Sequence, residues 1–373
     1  MNILMFNYEF PPLGGGTGRA NYEILKTLEK VNVQGDICIH LITSSVNTFR
    51  IEEFSPNITI HYLNIGKKGS LHAQKLNDLG IYSYKSYWYA KKIMKKIQFD
   101  FIHAFFGIPC GYTAMKLGLP YIVSLRGSDV PFHNPKYKLM YKHIFQRLSK
   151  KIWAKAKFAT TNSEGLMEEA HLTSPKQSFE IIPNGIHIDE FRPAKAQPYS
   201  GNLILITTGR LAKHKGIGFL IKALEGIDDV ELILAGDGPD KEEFECLAEV
   251  CKVNVKFMGI VPHDRIPSIL RLANVYVLPS LNEGMSNSMI EAMATGLPII
   301  ATRVGGVKEL IRENGIIVEK GSVEALKTAI LHYKNNSILM REHGIKSREI
   351  ALELSWEKNV RKHIELYNKM ILK

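Results

Sequence analysis

Short apolar runs alternate along the whole chain with longer stretches in which apolar residues recur at helical spacing. The short runs predict strands and the longer stretches predict helices. A chain that repeats strand and helix in this order predicts parallel sheets with helices on both faces. The predicted strands cover residues 2–6, 36–43, 58–63, 99–104, 121–125, 158–161 and 179–182 in the first half, and 203–208, 230–235, 253–258, 275–279, 298–301 and 315–318 in the second.

The 373 residues are too many for one ordinary core, because a domain averages about 150 residues. A Pro183-Asn184-Gly185 turn and a polar segment over residues 193–201 predict a break between two domains. We therefore predict two doubly wound α/β domains, residues 1–186 and 187–355, which face each other across a cleft. Helical patterns over residues 323–334 and 356–371 close the chain, and residues 356–373 form a separate last helix.

Charge is distributed unevenly between these domains. Residues 1–186 hold 23 Lys and Arg against 13 Asp and Glu, whereas the rest of the chain holds 25 against 24. A basic first domain suits an anionic partner such as a membrane surface, an acidic glycan or a nucleic acid. Four scattered cysteines fit neither a zinc site nor a disulfide framework, which predicts a reducing cytoplasm. The N-terminus lacks a signal-peptide pattern, and no apolar run approaches the ~20 residues of a membrane span.

A glycine-rich loop that includes Gly15 and Gly16 follows the first predicted strand and precedes a helix expected from Ala20. Glycine lets the backbone approach a ligand closely, and a helix start offers amide donors to phosphate. The loop does not match the dinucleotide fingerprint, because its glycines are spaced differently and no acid ends the second strand. A plain flexible loop is the alternative to a ligand-contacting one.

Two cations, Arg210 and Lys215, follow Gly209 in the turn after the first strand of the second half. Arg210 as a planar fork and Lys215 as a point charge suit a diphosphate, and solvated loop cations are the alternative. One unit later, Gly236 and Gly238 follow another strand. They either admit a ligand to the backbone or form a tight turn.

The most unusual stretch is residues 282–306, NEGMSNSMIEAMATGLPIIATRVGG. A helix predicted from about Ser286 places Glu283 just before its N-terminus and Glu291 inside it. Both acids then lie near the positive end of the helix dipole, which they could simply stabilise. A metal site and a pocket for a phosphorylated, polyhydroxylated ligand are the other two interpretations. The cations of the earlier turn favour the pocket.

A further candidate group follows a strand of the first domain, where Ser124-Leu125-Arg126-Gly127-Ser128-Asp129 is predicted to point into the cleft. Arg126 and Asp129 either serve the reaction or form a local ion pair. His103, at the end of an earlier strand, is more typical of a structural histidine than of a catalyst.

In order, GGGTG, SLRGSD, PNGI, GRLAKHKG, GDGP, the stretch at residues 282–306 and a terminal SWE helix resemble glycosyltransferases of GT-B fold. The chain is similar over nearly its whole length to family four, a large group of retaining nucleotide-sugar transferases. The E-x7-E segment with its trailing AMATGLPIIAT is highly specific, whereas the other motifs are weak singly. The resemblance implies an acceptor-binding first domain, a donor-binding second domain and a last helix that packs back towards the first.

The resemblance also implies the members of the donor site, which surround the two acids of the second domain: Gly209, Arg210, Lys215, Gly236, Gly238, Ile260, Glu283, Gly284, Met285, Ser286 and Glu291. Glu283 would contact the hydroxyls of the donor sugar and Glu291 those of the ribose. Arg210 and Lys215 would hold the diphosphate, and the main chain of residues 256–260 would line the base. Gly15 and Gly16 would close on the phosphate from the first domain.

The catalytic residues implied are Glu283, Arg210 and Lys215, with Arg126 and Asp129 from the first domain. Arg126 stands where many members have histidine, and Met285 stands where an aromatic residue is common. The resemblance implies retention of configuration with a nucleotide-sugar co-substrate and neither a metal nor another cofactor. We expect front-face transfer, in which the leaving phosphate accepts the proton of the acceptor hydroxyl.

We expect transfer of a hexose or N-acetylhexosamine from a UDP- or GDP-sugar to a glycan or lipid-linked acceptor, in cell-surface polysaccharide or glycolipid assembly. Basic helices with aromatic residues, from Lys75 to Gln98 and from Lys136 to Lys157, suit an anionic membrane, although a solvated helix face is the alternative. The expected location is cytoplasmic and peripheral on the inner face of the cell membrane.

Three other functions are alternatives to glycosyl transfer. A GT-B epimerase or a phosphorylase would share the cleft but fits the ordered motifs less well. A non-enzymatic anion-binding protein would explain the basic half and leave Glu283 and Glu291 unexplained. We expect no nucleic-acid partner, because neither a zinc-finger nor an RRM signature is present.

Overall fold

The computed structural model describes residues 1–32, 35–46, 48–67, 76–131, 139–194 and 202–372, with the backbone alone for residues 139–142. The chain forms two compact units. The first comprises Met1–Gly185 with Trp356–Lys373, and the second comprises Ile186–Ser355. Of the polar segment predicted as a linker, residues 195–201 lie outside the described residues.

The first unit contains an eight-stranded sheet in the order β3-β4-β2-β1-β5-β6-β7-β8, which is parallel except where edge strand β3 pairs antiparallel with β4. Its strands are β1 (Asn2–Phe6), β2 (Cys38–Ser45), β3 (Arg50–Ser55), β4 (Ile58–Asn64), β5 (Phe101–Phe105), β6 (Tyr121–Ser124), β7 (Phe158–Thr161) and β8 (Glu180–Ile181). Its helices are α1 (Gly16–Val31), α2 (Leu76–Met94), α3 (Tyr112–Leu117), α4 (Leu139–Lys155) and α5 (Glu164–Thr173), with a π-helical turn at Gly107–Gly111.

The second unit contains a six-stranded, all-parallel sheet in the order β11-β10-β9-β12-β13-β14. Its strands are β9 (Leu203–Thr208), β10 (Val230–Ala235), β11 (Val255–Gly259), β12 (Val275–Leu278), β13 (Ile299–Thr302) and β14 (Gly315–Val318). Its helices are α6 (Ile217–Ala223), α7 (Lys241–Val250), α8 (Ile266–Leu270), α9 (Asn287–Ala294), α10 (Val307–Leu310), α11 (Val323–Lys334) and α12 (Ser337–Leu352).

Alternate residues of the central strands in the second unit enter two separate hydrophobic cores. Tyr276 and Leu278 of β12 join one core with α9, whereas Val275 and Val277 join the other with α6 and α11. Side chains alternate across a strand, so the two cores lie on opposite faces of the sheet. The second unit is therefore doubly wound.

The last helix, α13 (Trp356–Ile371), belongs to the first unit although it follows the second in the chain. Its buried residues recur every three or four positions, which gives it one continuous buried face that is mainly apolar. That face packs in the core of the first unit and against α1. Trp356, Val360 and Tyr367 are its large buried side chains.

The predicted fold class, two mainly parallel α/β domains, is confirmed. Three details differ from the prediction. Helix α1 begins at Gly16 rather than Ala20, because the glycine-rich loop supplies its first turn. Strand β3 was missed, because its sequence RIEEFS is largely polar and exposed at the sheet edge. The second strand was predicted over residues 36–43, whereas β2 ends two residues later, at Ser45.

Candidate active site

The order of strands in the second unit creates a switch point between β9 and β12. The chain runs outwards from β9 through β10 to β11, then returns to β12 and runs the other way through β13 to β14. Loops after β9 and β12 therefore diverge at the carboxyl edge, where open α/β sheets bind ligands. A backbone hydrogen bond of 2.8 Å from Leu281 N to His214 O joins these two loops.

Lys215 and Glu283 meet at this switch point. The Lys215 Nζ donates to Glu283 Oε1, and Ser280 Oγ donates to the same oxygen over 3.2 Å. The side chains remain 26% and 14% exposed, so both charges are within reach of solvent. The predicted diphosphate cation and the predicted sugar-binding acid are thus brought together, although 68 positions separate them.

Glu291 lies in the second turn of α9, and its Oε1 is 3.0 Å from His263 Nε2. The helix begins after Ser286, whose hydroxyl accepts a 3.3 Å hydrogen bond from Met289 N as an N-cap. Met285 is 8% exposed and belongs to a hydrophobic core of the second unit. His263 was not predicted from the sequence, although a histidine in the loop after β11 was a usable signal.

The two glycines after β10 serve contacts within the protein. A β-carbon at Gly236 would lie 1.8 Å from the carbonyl oxygen of Gly209, and one at Gly238 would lie 2.2 Å from that of Leu211. These turns therefore interlock with the turn after β9 through their backbones. Of the two interpretations offered for Gly236 and Gly238, the tight-turn one accounts for their lack of a side chain.

The glycines in the RVGG end of the motif at residues 282–306 also serve contacts within the protein. A β-carbon at Gly305 would lie 1.8 Å from the Glu283 carbonyl oxygen, and the φ angle of Gly305 is +39°. Gly306 N donates to Gly284 O over 3.0 Å. The motif thus folds back on itself and supports the backbone that carries Glu283.

Three other predicted residues lie at strand ends of the second unit. Gly209 follows β9 with a φ angle of +133°, and a β-carbon there would meet no atom within 4 Å. Arg210, next to it, is half-buried. Ile260 follows the edge strand β11 and is 74% exposed, which makes it a large apolar side chain available to a ligand.

In the first unit, the loop at the start of α1 already bonds an acid. Gly15 N donates to Glu9 Oε2 over 3.2 Å, and Gly16 is the first residue of the helix. A β-carbon at Gly15 would meet nothing within 4 Å. Glu9 was not predicted from the sequence, and its carboxylate shows that the Gly15 amide can bind an anion.

Two interpretations were left open for Arg126 and Asp129, a role in the reaction and a local ion pair, and no salt bridge joins the two side chains among the described residues. The Asp129 carboxylate accepts from the backbone N–H groups of Gly107, Arg126 and Gly127 over 2.6, 2.9 and 3.1 Å. Burial raises the pKa of Asp129 despite these bonds. The carboxylate therefore holds the shape of this loop.

The Arg126 guanidinium donates to Asn184 Oδ1 over 3.1 Å and lies 4.7 Å from the ring centroid of Phe105. Burial lowers the pKa of Arg126 to about 10. Arg126 is thus a partly buried cation of the first unit. Its Nε has no hydrogen-bond partner within the described part of the chain.

Two buried histidines lie beside Arg126. His103 contacts Tyr367 Oη through Nδ1 and Ser124 Oγ through Nε2, both over 2.8 Å, which makes it a structural residue. His363 of α13 is 1% exposed, and neither of its ring nitrogens bonds a described residue. Burial, reinforced by the charge of Arg126, lowers the pKa of His363 to about 3.

The two basic segments form α2 and α4, but their predicted ends differ. Lys75, Lys136 and Tyr137 lie outside the described residues, as does the side chain of Tyr141. Trp88 lies on the solvent-exposed side of α2. Trp88 is 55% exposed next to the exposed lysines, because Tyr82, Ser86, Ala90 and Ile93 form the buried face instead.

The described ranges contain no group of three or more His, Cys, Asp or Glu side chains placed to hold a metal ion. They also contain no helix that is both long and apolar enough to cross a membrane.

Comparisons with known proteins agree with this architecture. The family model described as "Glycosyl transferases group 1" matches residues 189–350, and the model described as "Glycosyltransferase Family 4" matches residues 14–190. The chain is 28% identical over 375 residues to an uncharacterized glycosyltransferase of Methanocaldococcus jannaschii, with 96% of each chain covered.

Solved structures share the fold at lower identity. Sucrose-phosphate synthase from Thermosynechococcus elongatus matches with a TM-score of 0.86 and 22% identity, over 99% of both chains. Anabaena HepE in complex with UDP matches with a TM-score of 0.73 and 17% identity, over 99% of this chain and 100% of that one. The chain therefore belongs to the group 1 glycosyl transferases of family 4 and has their GT-B fold.

Proposed function

We propose that the protein transfers a hexose or an N-acetylhexosamine from a UDP- or GDP-sugar to a glycan or lipid-linked acceptor, with retention of configuration. The observation that carries the proposal is the contact between Lys215 and Glu283 at the switch point of the second sheet. A cation and a carboxylate at one point suit a ligand whose anionic diphosphate adjoins a polyhydroxylated sugar.

In the proposed reaction, the bond between the anomeric carbon and the β-phosphate oxygen breaks while the acceptor oxygen bonds that carbon on the same face. The leaving phosphate oxygen accepts the proton of the acceptor hydroxyl. Lys215 stabilises the negative charge that develops on the diphosphate, and Arg210, which follows the same strand β9, adds a second cation. These two cations are proposed to replace a metal ion, so activity should persist in EDTA.

Binding is tested first. Thermal unfolding is followed with UDP, GDP and ADP sugars, because a ligand at 100 times its Kd stabilises the folded state by about 2.7 kcal/mol. Stabilisation by a UDP- or GDP-sugar supports the donor site. A protein that responds to none of the three does not have the proposed function.

Turnover is tested next, with the stabilising donor and a panel of glycan and lipid-linked acceptors. Release of the nucleotide diphosphate should require an acceptor, and NMR of the product should show the anomeric configuration of the donor. Conversion of the donor without an acceptor would indicate an epimerase or a hydrolase instead. An inverted product would contradict the front-face mechanism.

We further propose that α2 rests on an anionic membrane, which would bring the enzyme to a lipid-linked acceptor. Ile81, Tyr84 and Trp88 are 40%, 69% and 55% exposed, and they recur every three or four residues. Lys91 and Lys92 continue the same face, and the Lys91 ammonium lies 4.9 Å from the centroid of the Tyr87 ring. Aromatic side chains with flanking lysines favour the interface of an anionic bilayer.

The membrane proposal is tested by co-sedimentation with vesicles. The protein should bind vesicles with 30% phosphatidylglycerol and not vesicles of pure phosphatidylcholine. The double variant Tyr84→Ser and Trp88→Ser should lose most of that binding, whereas Leu172→Ser, at a 63% exposed site on α5, should not. Equal binding of the two variants would argue against α2 as the contact.

A further inference from the structure

Glu291 is the acid expected to bind ribose hydroxyls, and its carboxylate is held by a residue from elsewhere in the second unit. His263 begins the 3₁₀ turn His263–Arg265, which follows β11. In the sheet, β10 and β9 lie between β11 and β12, the strand that precedes α9. The 3.0 Å contact between His263 and Glu291 therefore ties the turn after β11 to helix α9, although β11 and β12 are not neighbours in the sheet.

The imidazole of His263 is itself positioned by packing. Its ring lies edge-on to Phe191, with 5.7 Å between the ring centroids and an interplanar angle of 61°. Phe191 is 1% exposed, and its carbonyl accepts from the Arg348 guanidinium over 2.5 Å. A ring held against a fixed, buried partner has few orientations, so His263 presents Nε2 to the carboxylate in a defined direction.

The chemistry of this contact is directional. A carboxylate only accepts, so Nε2 carries the proton and donates to Oε1. Each carboxylate oxygen has two lone pairs, so Oε1 can keep the imidazole and accept a hydroxyl, while Oε2 can accept a second hydroxyl. A carboxylate fixed in this way matches two neighbouring hydroxyls, as on the ribose of a nucleotide.

We propose that His263 is a positioning residue that orients Glu291 and thereby sets the preference of the donor site for a ribonucleotide over one that lacks ribose hydroxyls. The inference rests on the proposed nucleotide-sugar function and adds a residue to it. His263 needs no contact with the nucleotide for this role. Its removal leaves Glu291 in place but frees the carboxylate to rotate.

The test measures Kd by calorimetry on the full chain, with UDP, GDP and the 2′,3′-dideoxy form of whichever binds. The natural protein should bind the ribonucleotide about 100-fold more tightly than the dideoxy form. Without the ribose hydroxyls, the Glu291 carboxylate loses hydrogen-bond donors that it is positioned to accept from. His263→Ala should weaken ribonucleotide binding about 10-fold and leave dideoxynucleotide binding within twofold. His263→Gln, whose amide can still donate to Glu291, should restore most of the preference.

Asp264→Ala, at an exposed neighbour on the same turn, is the matched control and should behave as the natural protein does. Equal preference for the ribonucleotide in His263→Ala and the natural protein would overturn the inference alone. Equal weakening of both nucleotides in His263→Ala and His263→Gln would also overturn it, since that indicates a purely structural role. A natural protein that binds neither UDP nor GDP would overturn the proposed function, and this inference with it.

Discussion

Gly236 and Gly238 of the second unit and Gly15 of the first unit show two opposite uses of glycine. At Gly236 and Gly238 in the second unit, the space of the missing side chain is filled by backbone carbonyls of the neighbouring turn. At Gly15 in the first unit the corresponding space is empty. All three follow a strand in glycine-rich sequence, and from sequence each could have faced a ligand.

The difference teaches where ligand contact is to be sought in each unit. In the second unit Gly236 and Gly238 lock two turns together, and Lys215 and Glu283 are the charged side chains that we propose contact the donor. In the first unit the space beside the Gly15 α-carbon is open, while the Gly15 amide donates to Glu9 over 3.2 Å. Four substitutions, from the largest expected effect to the smallest, test how the two units differ.

Lys215→Ala should lower turnover about 100- to 1,000-fold, because a charge aimed at the leaving group contributes most in the transition state. The rate is measured with saturating donor and acceptor. Lys213→Ala is the matched control, since Lys213 lies in the same turn, is 67% exposed and pairs with Glu243. Near-normal turnover of Lys215→Ala would remove Lys215 from the mechanism.

Gly238→Ala should destabilise the protein by about 3 kcal/mol, at the upper end for an overpacked site, because the carbonyl of Leu211 cannot move away from a β-carbon 2.2 Å distant. Chemical denaturation measures the change in the free energy of unfolding. If the free energy of unfolding of the variant equals that of the natural protein but donor binding is lost, Gly238 faces the ligand. The contrast between Gly238 and Gly15 then fails.

The first unit buries His363, which predicts that its stability depends on pH. The pKa of His363 is about 3 in the folded protein and near 6.5 when unfolded, so unfolding takes up a proton below about pH 6.5. Stability is therefore lost as pH falls, by about 2 kcal/mol at pH 5 from this residue. In His363→Leu, the loss of unfolding free energy between pH 7.5 and pH 5 should be about 2 kcal/mol smaller.

The control for His363→Leu is His332→Leu, at an exposed position on α11 of the second unit. It should leave the pH dependence of unfolding as it is. A His363→Leu protein with the pH dependence of the natural chain would show that the imidazole titrates normally in the folded state.

Gly15→Ala should leave stability within about 0.5 kcal/mol, because the added methyl group meets no atom within 4 Å. If a phosphate approaches this backbone, turnover should still fall about 10-fold, which corresponds to about 1.4 kcal/mol. Normal turnover would mean that this loop is open but unused.

Periodicity was sufficient to predict most of the fold. Strands over residues 158–161 and 203–208 and the helices over residues 323–334 and 356–371 occur as predicted, because each has a continuous buried face. Strand β3 could not be found in this way, because an exposed edge strand needs no apolar alternation.

The site was predicted less completely, since its contacts depend on distance in space. Lys215 meets Glu283 because β9 and β12 are neighbours in the sheet. His263 approaches Glu291 although β10 and β9 lie between β11, which precedes His263, and β12, which precedes Glu291. No pattern within a single segment contains that information. For the same reason, the sequence left open whether Gly236 packs or binds.

The return of α13 to the first unit has a consequence for how the protein is made. Ribosomes deliver the chain at about 5–20 residues per second, and domains generally fold as they emerge. Residues 1–185 are complete early, but their core lacks Trp356, Val360 and Tyr367 until the second unit has been synthesised. A gene fragment for residues 186–355 should yield a folded product, whereas one for residues 1–185 should aggregate unless the helix is fused to it.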